Sequence, residues 1–254
     1  MLEITGNTVY HLGLNREQDA EWAIVTGDPG RVESIAGRLK KPALLASSRE
    51  FTTFAGLLDG RRVLVTSHGI GGPSAAICFE ELALCGVRTL IRVGTCGGMA
   101  LDVTGGDLVV AQAAVRQEGT SRQYLPMEFP AVADFGVTAA LAEAAKAAGH
   151  RCHVGVVQCK DSFYGQHSPE SSPVAAELLA KWQAWLQGGC LASEMETAAL
   201  YTVAAVRGLR AGCVLQVLWN QERAAAGLPD PHASSEDAAI DTAVAALRLL
   251  MAAD

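Results

Sequence analysis

The chain has 254 residues, half of them hydrophobic and 19% charged, with a formal net charge of -7. This composition can bury a large core and excludes a disordered chain, and its acidic balance argues against nucleic acid or a membrane surface as partner, since either needs a basic face. A single α/β domain over residues 1–254 suits this length, and a start, MLEITGNTVY, with neither a basic block nor an apolar one leads us to expect a cytoplasmic protein. Seven cysteines lie scattered without a CxxC pair and read as reduced, mostly packed thiols.

In chain order, the apolar run Trp22 to Gly27 reads as a first buried strand. Gly27-Asp28-Pro29-Gly30-Arg31 then opens the helical pattern RVESIAGRL. A helix N-terminus after a glycine turn presents N–H groups to an anion, and Arg31 in the first turn adds charge there; the alternative is an arginine on a solvated helix face. The segment Glu50 to Ser67 alternates around Asp59-Gly60 and predicts a β-hairpin, with Arg49 just before it. Next comes a glycine loop, Gly69 to Pro73, leading into a helix to about Cys85 with Ser74 as its cap.

The stretch LIRVGTCGG, Leu90 to Gly98, carries the strongest chemical signal. Leu90, Ile91 and Val93 suit a strand covered on both faces. Arg92 inside that run requires an anion or a carboxylate at the strand end. Gly94, Gly97 and Gly98 are expected to turn the backbone sharply and expose its N–H groups beside the Thr95 hydroxyl, as an oxyanion seat. Cys96, within the same loop, reads as packing rather than as a nucleophile.

A strand follows in GGDLVVAQAAV, a helix over Phe135 to Ala148 and another strand over His153 to Cys159. The run Lys160 to His167, KDSFYGQH, reads as a polar and aromatic loop suited to a flat ring that also needs hydrogen bonds. Ser172 to Leu186 is helical, and SEMETAALY puts Glu194 and Glu196 at a helix entry, where carboxylates are favoured. A last strand, AGCVLQVLW, precedes Asn220-Gln221-Glu222-Arg223, a Pro-containing loop and a closing helix to Met251. Alternation of strands and helices implies a three-layer α/β/α unit with a mixed, largely parallel sheet and a site at strand ends.

Seven segments in this order, GDPGR, SSREFTT, SHGIGGPS, RVGTCGG, DSFYGQ, SEMETAALY and NQER, resemble the nucleoside phosphorylase-I family, its uridine-cleaving branch most closely. The resemblance implies the three-layer phosphorylase fold, a hexamer built from dimers, and reversible attack of inorganic phosphate on a nucleoside C1′. It assigns phosphate binding to Gly27, Arg31, Arg92 and Thr95, with Arg49 from a neighbouring subunit. Three guanidiniums on one phosphate could contribute roughly 1.5 to 3 kcal/mol each. Ribose falls to Thr95, Met195, Glu196 and a neighbour's His11. Base binding falls to Cys96, Gly97, Phe163 and Gln166, with Lys160, His167 and Arg223 as cationic candidates. Arg92, Thr95, Gln166, Glu196 and Arg223 form the expected catalytic set. No organic cofactor is expected, only phosphate as co-substrate, and Glu50, Ile70 and Ser74 match positions that hold a monovalent cation, such as K+, between subunits in some relatives.

Purine-specific relatives place an Asp just after the last strand, where this chain has Asn220-Gln221; a pyrimidine, whose charge develops on carbonyl oxygens, is better served by amide or cationic donors. The chain lacks the arginines two positions after Gln166 and directly after Asn220, and so resembles a second uridine-cleaving subgroup that carries KDSFYGQH and NQER. The alternatives are a purine nucleoside phosphorylase, a nucleosidase that uses water, and a non-catalytic nucleoside-binding protein.

Overall fold

The computed structural model describes residues 7–254. Strand β1 (Trp22–Thr26) is buried along its length and runs into α1 (Pro29–Ala36), where Asp28 caps the helix by accepting from the Gly30 N–H at 2.8 Å. Helix α1 stops three residues before the sequence pattern does. The chain next forms β2 (Lys40–Ser48), an exposed strand that the sequence reading did not anticipate. The expected hairpin is present as β3 (Phe51–Leu58) and β4 (Arg61–Ser67), turning at Asp59 and Gly60. Helix α2 (Gly72–Leu84) starts at Gly71, not under a Ser74 cap: the Ser74 hydroxyl donates to Glu50 Oε1 at 2.8 Å instead.

Strand β5 (Thr89–Gly98) continues through the glycines that were expected to form a loop. None of Gly94, Gly97 and Gly98 has a positive φ, and the backbone there pairs with neighbouring strands on both sides. The glycines provide space instead. A Cβ on Gly94 would lie 2.9 Å from the Arg92 guanidinium nitrogens, and one on Gly98 would lie 2.8 Å from Asn220 Nδ2.

Strand β6 (Leu108–Gln117), the short helix α3 (Ser121–Tyr124), the two-residue β7 (Ala131–Val132), helix α4 (Phe135–Ala147) and strand β8 (Cys152–Lys160) follow. Phe163–His167, expected as loop, is a one-turn helix, α5, with Ser162 accepting from the Gly165 N–H as its cap. Helix α6 (Ala175–Gln187), the short strand β9 (Ala192–Glu194), helix α7 (Thr197–Arg207), strand β10 (Arg210–Asn220), the one-turn helix α8 (Gln221–Ala225) and helix α9 (Asp237–Ala253) complete the chain.

All of these strands share one mixed sheet. Five pairings are parallel (β1 with β4 and β5, β5 with β10, β8 with β6 and β9), and five antiparallel. Strand β5 pairs with β1, β10 and β9, while β10, β6, β8 and β9 pair in succession, so these five strands close a ring, and β1, β4, β3 and β2 extend from it as an open wing. Helices α1, α4 and α9 cover one face, through Val32, Ile35, Leu141 and Leu247, and α2 and α7 the other, through Phe79, Leu82 and Leu200. Period-two alternation along β5 sends Ile91 and Val93 to the first core and Leu90 to the second. Arg92 shares the parity of Leu90, which aims it beneath the start of α7. All seven cysteines are free, and no helix among the described residues is long and apolar enough to cross a membrane.

Close packing of the sheet on α4 gives a direct test. A Cβ added to Gly212 in β10 would sit 2.4 Å from Val137 Cγ1, so Gly212→Ala should destabilise the fold by about 1–3 kcal/mol, read as a lowered urea midpoint with an unchanged slope.

Candidate active site

The carboxyl ends of β1, β5, β8 and β10 open on one cavity of about 410 Å³. It is lined by Gly27, Asp28 and Arg31 after β1, by Gly69 and Ile70 after β4, and by Arg92 and Gly94 to Gly97 of β5. Lys160, Phe163, Gln166 and His167 line it from the end of β8 and α5, Ser193 to Glu196 from β9 and the start of α7, and Leu218 and Trp219 from β10. Segments far apart in sequence converge because parallel strands end on the same side of the sheet.

Arg92 is the buried centre of this wall, only 3% exposed. One end of its fork lies 3.0 Å from Glu194 Oε2 and the other pairs with Glu196. Burial works against its charge, but Glu196, Cys213 and Glu194 outweigh that penalty and keep the guanidinium protonated. The Glu194 carboxylate also accepts from the backbone N–H groups of Glu196 and Thr197 at 2.9 and 3.1 Å, capping α7. Glu196 Oε1 accepts from the Gly71 N–H at 2.6 Å, which ties the start of α2 to the same cluster. The Arg92 Nε–H faces His68 Nε2 at 3.3 Å, and the other ring nitrogen of His68 lies 2.8 Å from the Gly69 carbonyl oxygen. Both contacts are satisfied by a neutral imidazole with its proton on Nδ1. Burial, reinforced by the Arg92 charge, pushes the His68 pKa down to about 3.

The opposite wall is a polar network. The Lys160 ammonium donates to Ser193 Oγ at 2.6 Å, and Ser193 Oγ lies 2.8 Å from Gln166 Oε1. Gln166 Nε2 in turn donates to Gln221 Oε1 at 3.0 Å. Burial lowers the Lys160 pKa, against the pull of Glu194. Burial and the Lys160 charge lower that of His167. Rings line the mouth: Phe163 and His167 lie 4.3 Å apart, and Trp219 stacks between His167 and His232. A second cavity of about 500 Å³ shares Lys160, Gln166, His167 and Trp219 with the first and reaches Trp182 and Trp185 of α6.

Residues 21–253 match the Phosphorylase superfamily. The chain belongs to that superfamily. It is 50% identical over 245 residues to a uridine phosphorylase of Treponema pallidum (strain Nichols), covering 96% of this chain and 95% of the relative. It is 45% identical over 248 residues to a uridine phosphorylase of Salmonella typhimurium, covering 96% and 98%. A guanosine phosphorylase of Halorubrum lacusprofundi is 39% identical over 207 residues, covering 82% and 81%.

Within this phosphorylase-superfamily chain, Gly27, Arg31, Arg92, Thr95, Cys96, Gly97, Lys160, Phe163, Gln166, His167, Met195 and Glu196 meet at one cavity. Arg31 is held there by Glu236 at 2.8 Å. Arg49 and His11 do not line this cavity: Arg49 sits exposed in the turn between β2 and β3 with φ 55°, and His11 Nδ1 pairs with Glu81 at 2.7 Å. Cys96 is buried, and desolvation raises its thiol pKa, which suits packing.

Arg223 is a correction. Its guanidinium donates to the carbonyls of Leu101 and Pro229 and lies 3.8 Å from Asp230, so it ties down the loop after α8 and takes no part in the cavity. Asn220 likewise turns inward: its Nδ2 donates to the carbonyls of Ala100 and Val103, and its Oδ1 accepts from the start of α8. The sequence reading passed over Glu194 as ordinary helix chemistry and did not single out His68, Ser193 or Trp219. A histidine inside the glycine-rich SHGIGGPS was a visible signal; its neutral, fully buried state was not.

The His68 pKa carries a pH prediction. An unfolded histidine gains its proton near pH 6.5 whereas the folded ring stays neutral down to about 3. Below pH 6.5 the unfolded chain therefore binds the extra proton, and this group weakens the fold as pH falls, by up to about 1.4 kcal/mol per pH unit. Thermal melts from pH 7 to pH 5 should show a declining midpoint, and His68→Asn should make the decline shallower.

Proposed function

We propose that this chain is a uridine phosphorylase, converting uridine and inorganic phosphate reversibly to uracil and ribose 1-phosphate in pyrimidine salvage. The observation that carries the reading is one cavity holding a buried arginine fork with Thr95 and Arg31, a carboxylate at Glu196, and an amide-and-ammonium wall at Gln166 and Lys160. Two relatives that are 45–50% identical over nearly the whole chain carry that name.

Phosphate enters as the anion that Arg92, Arg31, Thr95 and the Gly27 backbone receive. Arg92 is already charged and oriented by His68 and Glu194, so little reorganisation accompanies binding. Glu196, beside Met195, accepts hydrogen bonds from the ribose hydroxyls. As the C1′–N1 bond lengthens, its electron pair moves onto uracil, and positive charge spreads over C1′ and the ring oxygen. The neighbouring dianion stabilises that cation, and a phosphate oxygen forms the new bond to C1′. Gln166 and Lys160 donate toward the uracil carbonyl oxygens, where the departing charge collects, while Phe163, His167 and the Cys96–Gly97 backbone flank the ring. The proton that the attacking hydrogen phosphate carried ends on the departing base, leaving neutral uracil and the ribose 1-phosphate dianion.

A guanosine-cleaving relative keeps a purine reading in view. The site favours pyrimidine, because position 220 holds an amide consumed by backbone carbonyls rather than an acid aimed at a purine N7. A nucleosidase or a non-catalytic nucleoside binder needs no phosphate site, whereas Gly27, Arg31, Arg92 and Thr95 line this cavity together.

We read the chain as one catalytic domain that works in the cytoplasm as a hexamer built from dimers. Arg49 and His11 serve the cavity of a second copy, with Arg49 on phosphate and His11 on the 5′-hydroxyl. A monovalent cation between subunits would take Glu50, whose carboxylate already meets Ser74, with the Ile70 segment beside it. Gly69 makes that approach workable, since a Cβ there would lie 2.8 Å from Ser74 Oγ and 2.9 Å from Glu50 Cγ. No trio of His, Cys, Asp or Glu suited to a tightly held metal exists among the described residues.

Ultraviolet-monitored turnover of uridine, inosine and guanosine with and without phosphate tests the reading. Uridine cleavage strictly dependent on phosphate is expected; equal cleavage without phosphate, or preference for inosine or guanosine, overturns it. Arg31→Ala should raise the phosphate KM about 10-fold and leave uridine binding nearly unchanged, whereas Arg92→Ala should cut kcat/KM by about 1000-fold or more. Gln166→Ala should mainly raise the uridine KM, because it leaves one edge of the buried base unpaired.

A further inference from the structure

A chain of hydrogen bonds runs from α6 into the base wall. The Trp185 indole N–H donates to Gln117 Oε1 at 2.9 Å, and Gln158 Nε2 donates to the same oxygen at 2.6 Å. Gln158 Oε1 therefore faces Ser193, whose hydroxyl donates to it. The Lys160 ammonium donates to Ser193 Oγ, and the remaining neighbour is Gln166, whose Oε1 lies 2.8 Å away and whose Nε2 faces Gln221, an arrangement that turning the amide over interchanges. Gln158, Ser193 and Lys160 are all buried.

The directions in this chain are not free. An indole N–H and an ammonium can only donate, so each fixes its neighbour. Trp185 fixes the Gln117 amide, Gln117 fixes Gln158, and Gln158 takes the single proton that Ser193 carries. Ser193 Oγ then has only lone pairs left: one meets Lys160, and the other can meet Gln166 only through an N–H. With its Oε1 toward Ser193, Gln166 would set two lone pairs against each other. At the far end, Gln221 has to turn over with Gln166, which brings its oxygen to about the 3.4 Å distance from Glu222 at which its NH2 now lies, a weaker opposition than two lone pairs at 2.8 Å, so the buried end decides.

We propose that Ser193, directed by Trp185 through Gln117 and Gln158, is a positioning residue that locks the Gln166 amide in one orientation, its NH2 toward Ser193, and that this lock separates uracil from cytosine. The proposal rests on the uridine reading. The two bases differ on the edge that an amide grips: uracil offers a 4-carbonyl and an N3–H, cytosine a 4-amino group and a bare N3. With the ring placed by its glycosidic bond, an amide in one orientation matches uracil and the same amide turned over matches cytosine. A Gln166 free to rotate would accept both. A locked one confronts the wrong base with two like groups at once, a mismatch that discriminates by about 10- to 100-fold.

The test measures kcat/KM for uridine and for cytidine, in saturating phosphate, for the wild-type enzyme and for Ser193→Ala, Trp185→Phe and Ser193→Thr. Ser193→Ala should lower the uridine-to-cytidine ratio at least about 10-fold, with the phosphate KM unchanged. Trp185→Phe, at the far end of the relay, should move the ratio in the same direction by less, and Ser193→Thr, which keeps the hydroxyl, should restore it. A ratio unchanged in folded Ser193→Ala overturns the proposal, and so does an unchanged ratio in Trp185→Phe should Ser193→Ala fail to fold. A wild-type enzyme that leaves uridine intact sinks the uridine reading and this inference with it; an active wild type with unmoved ratios sinks this inference alone.

Discussion

The whole site hangs on one buried guanidinium between two carboxylates. An arginine taken out of water this completely is tolerated only when nearly all of its donors are met, and Arg92 reaches Glu194 and Glu196 in one segment and His68 in another. Each partner has a second duty. Glu194 caps α7, Glu196 anchors the start of α2, and His68 is tied to the Gly69 carbonyl, so the position of one charge fixes the ends of a strand and two helices. The charge is thus oriented during folding, in a poorly screened environment. In the proposed reaction, an incoming dianion would meet a fork that is already aimed and shared with Glu194 and Glu196.

Much of this was legible in the sequence. Leu90, Ile91 and Val93 marked β5 as a strand covered on both faces, and an arginine inside such a run demanded a counter-charge, which is present. The hairpin around Asp59-Gly60 and the closing helix also followed from local pattern. The glycines of β5 were misread, because a glycine that bends the chain and a glycine that makes room for a neighbouring side chain look alike in one dimension. Gly94 is there for the width of the Arg92 fork and Gly98 for Asn220. Arg223 was misplaced for a similar reason: proximity in sequence to the last strand said nothing about Leu101 and Pro229, the carbonyls that capture it.

Helix α5 was hidden because five residues are too few to show a helical period, and its start depends on a single Ser162 cap. Strand β2 was hidden because its residues are mostly exposed and show no alternation. The relay from Trp185 to Ser193 was beyond any sequence pattern, since its members lie on β6, β8, β9 and α6 and meet only where β6, β8 and β9 run side by side. The chemistry-bearing residues were therefore easier to find than the residues that orient them.

Among the described residues, ring closure by β5, β10, β6, β8 and β9 leaves the sheet two outer margins, the two-residue β7 and the long β2. A bare margin of that length invites another chain to add itself by backbone pairing. Strand β2 resists this: it opens with Lys40, Lys41 and Pro42, Lys41 has φ 52°, and its register with β3 slips twice. Proline withholds a donor, the lysines repel a like strand, and the slips spoil a straight ladder. These features disfavour strand-by-strand growth at that flank, where Leu44 and Leu45 stand exposed.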